Sequence, residues 1–235
     1  ASEDEMKELV AERDRRGPYR DLGALAARLP MHVGDLEQLA WAGALRGLPS
    51  GERVSGLWNA GLFSRRVPGK AGRQLSLPFA QPDIPDLQEP EDWARVQAEY
   101  GTIGMTLEGH PMTLARELIP PDVLTTVDAA GLKDRSACET GGLLVARQRP
   151  ETANGVIFLL IEDETGTLNL VVPPPVASKY RLTIRSATLL RARGRIETNQ
   201  GVVNLLVNHM TEIRPPDPSI KALAPTGFNF GRRGR

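Results

Sequence analysis

The feature that most restricts the fold of this chain is a set of five β-rich runs in its second half. In order, the runs read GGLLVARQRP, GVIFLLIED, TLNLVV, TLLRARGRIE and VVNLLVNHMTEI. Short segments with turn residues separate most of them, and a proline-led stretch with a helical pattern, PPPVASKYRLTIRSA, lies between the third and the fourth. This part of the chain is therefore predicted to form a five-stranded sheet with one helical insertion.

Five strands with a helix between the third and the fourth is the order of the OB-fold, a small Greek-key barrel.

The first part of the chain has apolar residues with a different period. From Ser2 to Phe63 apolar residues recur at helical spacing, and Gly17-Pro18 and Pro30 interrupt them, which predicts short helices joined as hairpins. The predicted class is α+β, with an N-terminal helical region, a linker and a C-terminal five-stranded OB-fold β-barrel.

Charge is divided unevenly along the chain, although 29 basic residues balance 29 acidic ones overall. Residues 1–130 contain 14 basic and 20 acidic residues, whereas residues 131–235 contain 15 and 9. A polyanion is therefore expected to bind the second half.

Two further observations concern the cellular compartment. Cys138 is the single cysteine, so neither an internal disulfide nor a thiolate metal cluster is expected. No apolar run approaches the roughly 18 residues of a membrane span, and the N-terminal residues are acidic where a signal peptide would be basic. We expect a cytoplasmic protein without a membrane partner, and because Ala1 opens directly into a helical pattern we expect a fragment.

The segment ARQRPETANGVIFLLIEDETGTLNLVVPP resembles the OB-fold of bacterial C-family DNA polymerases, the DnaE-type α subunits of polymerase III and their error-prone relatives. That family has an Arg-rich strand end, a Thr/Gly loop, a strand and turn of the form F-x-x-L-E-D-E-T-G, and an N-L-I-V strand, in this order. Residues 158–166 and 169–172 match the last two elements. Upstream, RRGPYRDLGALAAR and LEQLAWAGAL resemble the helical region beside the tandem helix-hairpin-helix of these polymerases, and YGTIGMTLEGHPM resembles their connector.

The resemblance implies a domain organisation in family order. The expected parts are a helical, helix-hairpin-helix-like region (1–63), a linker (64–90), a helical connector (91–130), an OB-fold that binds nucleic acid (131–214) and a disordered basic tail (215–235).

The resemblance also implies that the chain is a C-terminal, non-catalytic part of a polymerase. Its partners would then be the catalytic domains of that polymerase. Nothing in the chain resembles the family's palm carboxylates or its N-terminal metal-binding domain, so we expect no catalytic residue, metal or cofactor. Replicative members continue past the OB-fold into another domain, and the short tail here favours the error-prone branch used in damage-induced mutagenesis. The same region of a replicative α subunit and a free-standing single-strand-binding OB-fold protein remain alternatives.

Basic residues at strand positions indicate where DNA would bind. Arg191, Arg193 and Arg195 alternate in the fourth run, which places them on one strand face. Guanidinium groups neutralise phosphates and stack on unpaired bases, so single-stranded template DNA is the expected ligand, although a solvated barrel face would show the same alternation. The predicted nucleic-acid-binding residues are Arg147, Arg149, Thr152, Asn154, Lys179, Arg191, Arg193 and Arg195.

Aromatic stacking is expected to contribute little. Phe158 shares a strand face with Val156 and Leu160, and we predict that this face belongs to the core. Binding should then be mostly electrostatic and steeply dependent on salt. Trp41 and Trp58 have helical spacings and are predicted to pack.

Other polar motifs are interpreted as structural. Glu162-Asp163-Glu164 precedes a Thr-Gly turn and is predicted to consist of turn and solvent residues. His32, His110 and His209 are isolated from one another and from carboxylate pairs, so no metal site is predicted. The turn LPMHVGD lacks a Gly-x-Gly pattern, and strong duplex contact is not expected from it.

The hexapeptide QLSLPF places apolar residues in the predicted linker. Gln74, Leu77 and Phe79 fit the Q-x-x-L-x-F spacing of peptides that reach the bacterial sliding clamp, with Leu75 in support. The resemblance agrees, since the polymerase family often has its clamp motif between the helical region and the OB-fold. The alternative is a tether that folds back on the helical region.

Overall fold

A computed structural model describes residues 2–29, 31–49, 51–63 and 87–216. The chain divides into two compact units, residues 1–91 and residues 92–235. The hexapeptide Gln74–Phe79 and most of the basic tail lie outside the described residues.

The first unit is helical, as the sequence predicts. Its helices are α1 (Glu3–Arg16), α2 (Leu22–Arg28), α3 (Val33–Trp41) and α4 (Arg53–Phe63). Leu22, Leu25, Leu36, Ala40 and Ala60 form the centre of a buried apolar cluster among these helices. The short helices with short turns confirm the predicted hairpin arrangement.

A buried ion pair fastens α1 to α2. The Glu12 side chain is 6% exposed, and Arg28 donates to its Oε1 at 3.3 Å and to its backbone carbonyl at 2.7 Å. The Arg28 guanidinium also lies over the Tyr19 ring, 4.4 Å from its centroid.

Not every aromatic residue packs as predicted, since Trp58 leaves 50% of its surface exposed.

The second unit begins with three helices, α5 (Asp92–Ile103), α6 (Pro111–Ala115) and α7 (Thr126–Ala130). Met112 and Ala115 of α6 are fully buried against Leu143, Leu189 and Ile213 of the sheet region. The predicted connector is therefore packed on the barrel and shares a core with it.

The sheet is a closed five-stranded barrel with the predicted number and order of strands. Its order is β1-β2-β3-β5-β4, and all neighbouring pairs are antiparallel except β3 and β5. Two short helices, α8 (Pro174–Lys179) and α9 (Arg181–Ser186), occupy the predicted insertion. The strands are β1 (Ala137–Gln148), β2 (Ile157–Glu162), β3 (Thr167–Val172), β4 (Leu189–Asn199) and β5 (Val202–Glu212).

A bulge in the pairing of β4 with β5 shapes one side of the barrel. The register shifts between Arg193 and Gly194. A Cβ on Gly194 would lie 2.1 Å from the carbonyl oxygen of Leu206, closer than any real contact, so only glycine allows β5 to approach here.

Asp163 corrects a prediction, because it is neither a turn residue in solvent nor a surface charge. Its side chain is fully buried, with 0% exposed. The carboxylate accepts hydrogen bonds from the backbone and hydroxyl of Thr126 and of Thr165, from the Gly166 amide, and from Arg116 at 2.7 Å. This one carboxylate joins the start of α7, the β2–β3 turn and the connector.

Within the described residues, no helix is long and apolar enough to cross a membrane.

Candidate nucleic-acid interface

The outward face of β4 has the arginines that the sequence predicts there. Arg193 and Arg195 are exposed, and the Arg191 side chain is 28% exposed. Alternate residues of the same strand point into the core, namely Leu190, Ala192 and Ile196, each 0% exposed. The period of two therefore separates the basic face from the core face.

Strand pairing extends this face into a continuous row of outward side chains. Five residues, which we call the outer row, are cross-strand neighbours from β1 to β4: Gln148, Phe158, Val171, Leu206 and Arg195. All five are exposed or half-buried. With strands about 4.8 Å apart, the row follows the curved outer surface of the closed barrel for roughly 19 Å and crosses all five strands.

Phe158 lies near one end of the outer row, next to Gln148, and its prediction as a core residue is wrong. It is 38% exposed, whereas Leu159 and Ile161 are 2% and 0% exposed. Phe158 and Leu160 do share a face, as predicted, but that face is the outside of the barrel, and Val156 precedes the strand. Strand β2 is apolar on both faces, so the spacing of its apolar residues could not show which face is buried.

The loop between β1 and β2 adds polar residues at the Phe158 end of the outer row. Gln148 and Phe158 form the last pair of the hairpin, and the loop follows directly. Arg149, Thr152 and Asn154 are all exposed there. Asn154 has a φ of 47°, the left-handed conformation that an asparagine tolerates in a tight turn.

Arg147 has a different environment from the other predicted residues. Its Nε donates to the carbonyl of Ile184 at 2.7 Å, and an Nη donates to the carbonyl of Ala187 at 2.6 Å. These carbonyls lie at the end of α9, so Arg147 holds the helical insertion against β1. Burial lowers the pKa of Arg147 from its ordinary value. The structure gives this residue a packing role that its spacing did not indicate.

Basic residues outnumber acidic ones around β4. Residues 165–196 contain six basic residues and no acidic one. Arg191 pairs with Glu139 of β1 at 3.4 Å. In the part of the chain that the structure describes, neither Arg193 nor Arg195 has an ion-pair partner. Both guanidinium groups are therefore available to an anionic ligand.

The remaining candidates have separate positions. Lys179 is exposed at the end of α8, with its Nζ 5.0 Å from the centroid of the Tyr180 ring.

His110 caps α6, where its Nδ1 accepts from the Met112 amide at 3.1 Å. Burial lowers the pKa of His110. Among the described residues, no group of three His, Cys, Asp or Glu side chains could hold a metal ion.

This geometry suits an unpaired nucleic acid strand. An exposed aromatic ring offers a stacking face that any base can use, and exposed arginines along the same row can neutralise phosphates. The alternation in the sequence predicted the exposed arginines. The exposure of the stacking residue, Phe158, could be recognised only from the strand register of the closed barrel.

Two protein-family models match parts of the chain. Residues 141–213 match the model described as "OB-fold nucleic acid binding domain", and residues 1–55 match the model described as "Helix-hairpin-helix motif". The matched ranges coincide with the barrel and with the helices of the first unit.

Relatives cover most of the chain. Proteins named "Error-prone DNA polymerase" from Anaeromyxobacter dehalogenans (strain 2CP-1 / ATCC BAA-258) and Methylococcus capsulatus (strain ATCC 33009 / NCIMB 11132 / Bath) are both 36% identical to it. The first match covers 97% of this chain and 19% of the relative, and the second covers 85% and 18%. The chain thus spans about a fifth of the length of the curated relatives it matches.

Proposed function

We propose that this chain, which is homologous over most of its length to bacterial error-prone DNA polymerases, is a non-catalytic part of such a polymerase that holds single-stranded template DNA. The observation that carries the proposal is the outer row, where the exposed Phe158 and Arg195 both lie on the outer surface of the barrel and are linked by consecutive strand pairs. The polymerase would act in the cytoplasm in damage-induced translesion synthesis.

In this proposal the DNA strand crosses the barrel strands along the outer row. A base stacks on Phe158, which is worth about 1–3 kcal/mol for one base. Arg195 and Arg193 neutralise phosphates at the β4 end, and the polar loop with Arg149 borders the other end. The affinity then combines one stacking contact with several phosphate contacts, so the strand is held without dependence on its sequence.

A comparison of single strands with duplexes tests this proposal. Fluorescence anisotropy would measure binding of the full chain to a labelled 16-residue oligo-dT and to a duplex of the same length. We expect tighter binding to the single strand, because only unpaired bases expose a face to Phe158. Equal or tighter binding to the duplex would contradict the single-strand assignment.

We further propose that Gln74, Leu75, Leu77 and Phe79 bind the bacterial sliding clamp. These residues lie outside those that the structure describes, and the proposal is supported by the Q-x-x-L-x-F spacing and by the homology with polymerases. The glutamine amide would hydrogen-bond the clamp, while Leu77 and Phe79 fill apolar pockets, each burial contributing about 1.5–3 kcal/mol. A weak clamp contact and a weak DNA contact on one chain reinforce each other through effective concentration.

Calorimetric titration of the chain into the sliding clamp measures this contact. We expect roughly micromolar affinity that is lost in a Leu77→Ala/Phe79→Ala double variant, because two apolar anchors disappear. Ser76→Ala serves as the matched control, since it changes the same hexapeptide outside the motif positions and should leave the affinity unchanged. Equal affinity of the double variant and the control would contradict clamp binding by this peptide.

A further inference from the structure

A second basic surface lies beside the outer row, where α8 meets β4 and β5. We call it the α8 cluster, and its four members are Lys179, Tyr180, Arg193 and His209. Lys179 Nζ is 5.0 Å from the centroid of the Tyr180 ring, and the Tyr180 and His209 rings meet edge to face at 5.4 Å. Arg193 is the cross-strand neighbour of His209.

The bulge in β4–β5 pairing accounts for the position of His209. Arg193 pairs with His209 but Gly194 pairs with Val207, so Asn208 is the additional residue of β5. Asn208 and His209 are consecutive and both exposed, which a regular strand would not allow. The bulge therefore directs the imidazole outward toward Tyr180 and Arg193.

The exposure of the cluster fits ligand binding better than a packing role. Lys179, Arg193 and His209 are exposed, while Tyr180 is half-buried and packs on the barrel core. Among the residues that the structure describes, Lys179, Arg193 and His209 have no ion-pair partner. Three basic side chains thus lie together around the packed Tyr180 ring, and in the described part of the chain none of them forms an ion pair.

The charged residues on the neighbouring elements are mostly cationic as well. Strand β3 and helix α8 contribute no carboxylate, and α9 contributes only Arg181 and Arg185. On β4 the single carboxylate is Glu197, a strand neighbour of Asn204 at the opposite end of β5, and on β5 it is Glu212, which forms an ion pair with Arg214. The nearest acidic side chain on β1 is Glu139, which is a neighbour of Arg193 and forms an ion pair with Arg191.

The α8 cluster is close to the outer row but distinct from it. Arg193 precedes Arg195 by two residues on the same face of β4, a distance of about 7 Å along the strand. A polyanion that crosses the outer row and reaches Arg195 therefore meets Arg193 next, and then the lysine and the imidazole.

We propose that the α8 cluster is a phosphate-binding site for the single strand as it leaves the outer row, in which Lys179 and Arg193 pair with phosphate and the His209 ring donates a hydrogen bond to it. This inference rests on the proposed function, because the outer row must deliver the strand. The edge-to-face contact with Tyr180 holds the His209 ring beside Arg193, so the three polar side chains can contact one segment of the strand.

Oligo-dT anisotropy at pH 7.5 tests the inference. His209→Ala is expected to weaken binding by about two- to tenfold, the effect of one lost hydrogen bond to phosphate. His32→Ala, in the helical unit, is the matched control and should leave the affinity unchanged.

A second variant tests the site through the salt dependence of binding. Lys179→Gln/Arg193→Gln should weaken binding and reduce the slope of log affinity against log salt by about 1.4, since each lost phosphate contact removes about 0.7. Lys133→Gln controls for loss of a surface charge elsewhere in the same unit.

The outcomes separate the inference from the function on which it rests. Absence of oligo-dT binding by the unmodified chain would overturn both. Binding that weakens in Phe158→Ala but is unchanged in His209→Ala and in Lys179→Gln/Arg193→Gln would overturn the α8 cluster alone.

Discussion

Replacement of Asp163 by asparagine is expected to lower the free energy of unfolding of the second unit by about 3–5 kcal/mol, the usual cost of breaking a buried charged network. Every hydrogen-bond partner of the fully buried carboxylate is a donor. The NH2 group of asparagine is also a donor, so it would face these groups without an acceptor. Arg116, whose side chain is 22% exposed, would lose its partner at 2.7 Å. Chemical denaturation followed by circular dichroism measures the change.

The pH dependence of stability provides a second readout of the same residue. Burial alone would raise the pKa of Asp163, but the hydrogen bonds from Thr126 and Thr165 outweigh it and lower the pKa below its ordinary value. A lowered folded-state pKa contributes stability above the unfolded pKa of about 3.9, and this contribution is lost as pH falls through the folded pKa. Asp163→Asn should lack this part of the acid dependence.

Glu164→Gln is the matched control for Asp163→Asn. Glu164 is the adjacent carboxylate and also pairs with Arg116, at 2.8 Å, but its side chain is 28% exposed. Its loss should cost less than about 1 kcal/mol. Similar costs for the two variants would show that Asp163 is not the residue that joins the connector, α7 and the β2–β3 turn.

Phe158→Ala is expected to weaken oligo-dT binding by about 5- to 150-fold, because it removes the stacking face of the outer row, worth about 1–3 kcal/mol. The fold should persist, since Phe158 is 38% exposed and the core face of β2 is formed by Leu159 and Ile161. Anisotropy with labelled oligo-dT measures the affinity, and circular dichroism verifies the fold.

Two further variants isolate the contribution of the aromatic ring. Phe158→Tyr keeps a stacking face and should bind within about twofold of the unmodified chain. Leu118→Ala removes an apolar side chain that is 41% exposed on the connector and should have no effect on binding. If Phe158→Ala bound as tightly as Leu118→Ala, the outer row would not be the path of the strand.

Regular features of the fold could be predicted from the sequence because each has a local signal. The runs of β-rich residues predicted all five strands, and Gly17-Pro18 and Pro30 predicted the ends of α1 and α2. The alternation of Arg191, Arg193 and Arg195 predicted the basic face of β4, since the period of two holds in any regular strand.

Features that depend on register or on distant partners could not be predicted in this way. The exposure of Phe158 follows from the closure of the barrel, which selects one of two apolar faces of β2. Asp163 and Arg147 have partners 37–47 and 37–40 residues away in the chain, so no local pattern indicates their burial or hydrogen bonds. The position of His209 depends on a bulge, a single-residue shift that composition does not reveal.

The salt dependence of oligo-dT binding by the unmodified chain tests the central claim most directly. Affinity would be measured by anisotropy at a series of NaCl concentrations at pH 7.5. If the strand makes three or four phosphate contacts through Arg195 of the outer row and the basic residues beside it, the slope of log affinity against log salt is expected to be about −2 to −3, with residual binding at high salt from stacking on Phe158. A slope near zero, or no measurable binding at low salt, would contradict the assignment of this barrel as a single-strand-binding surface.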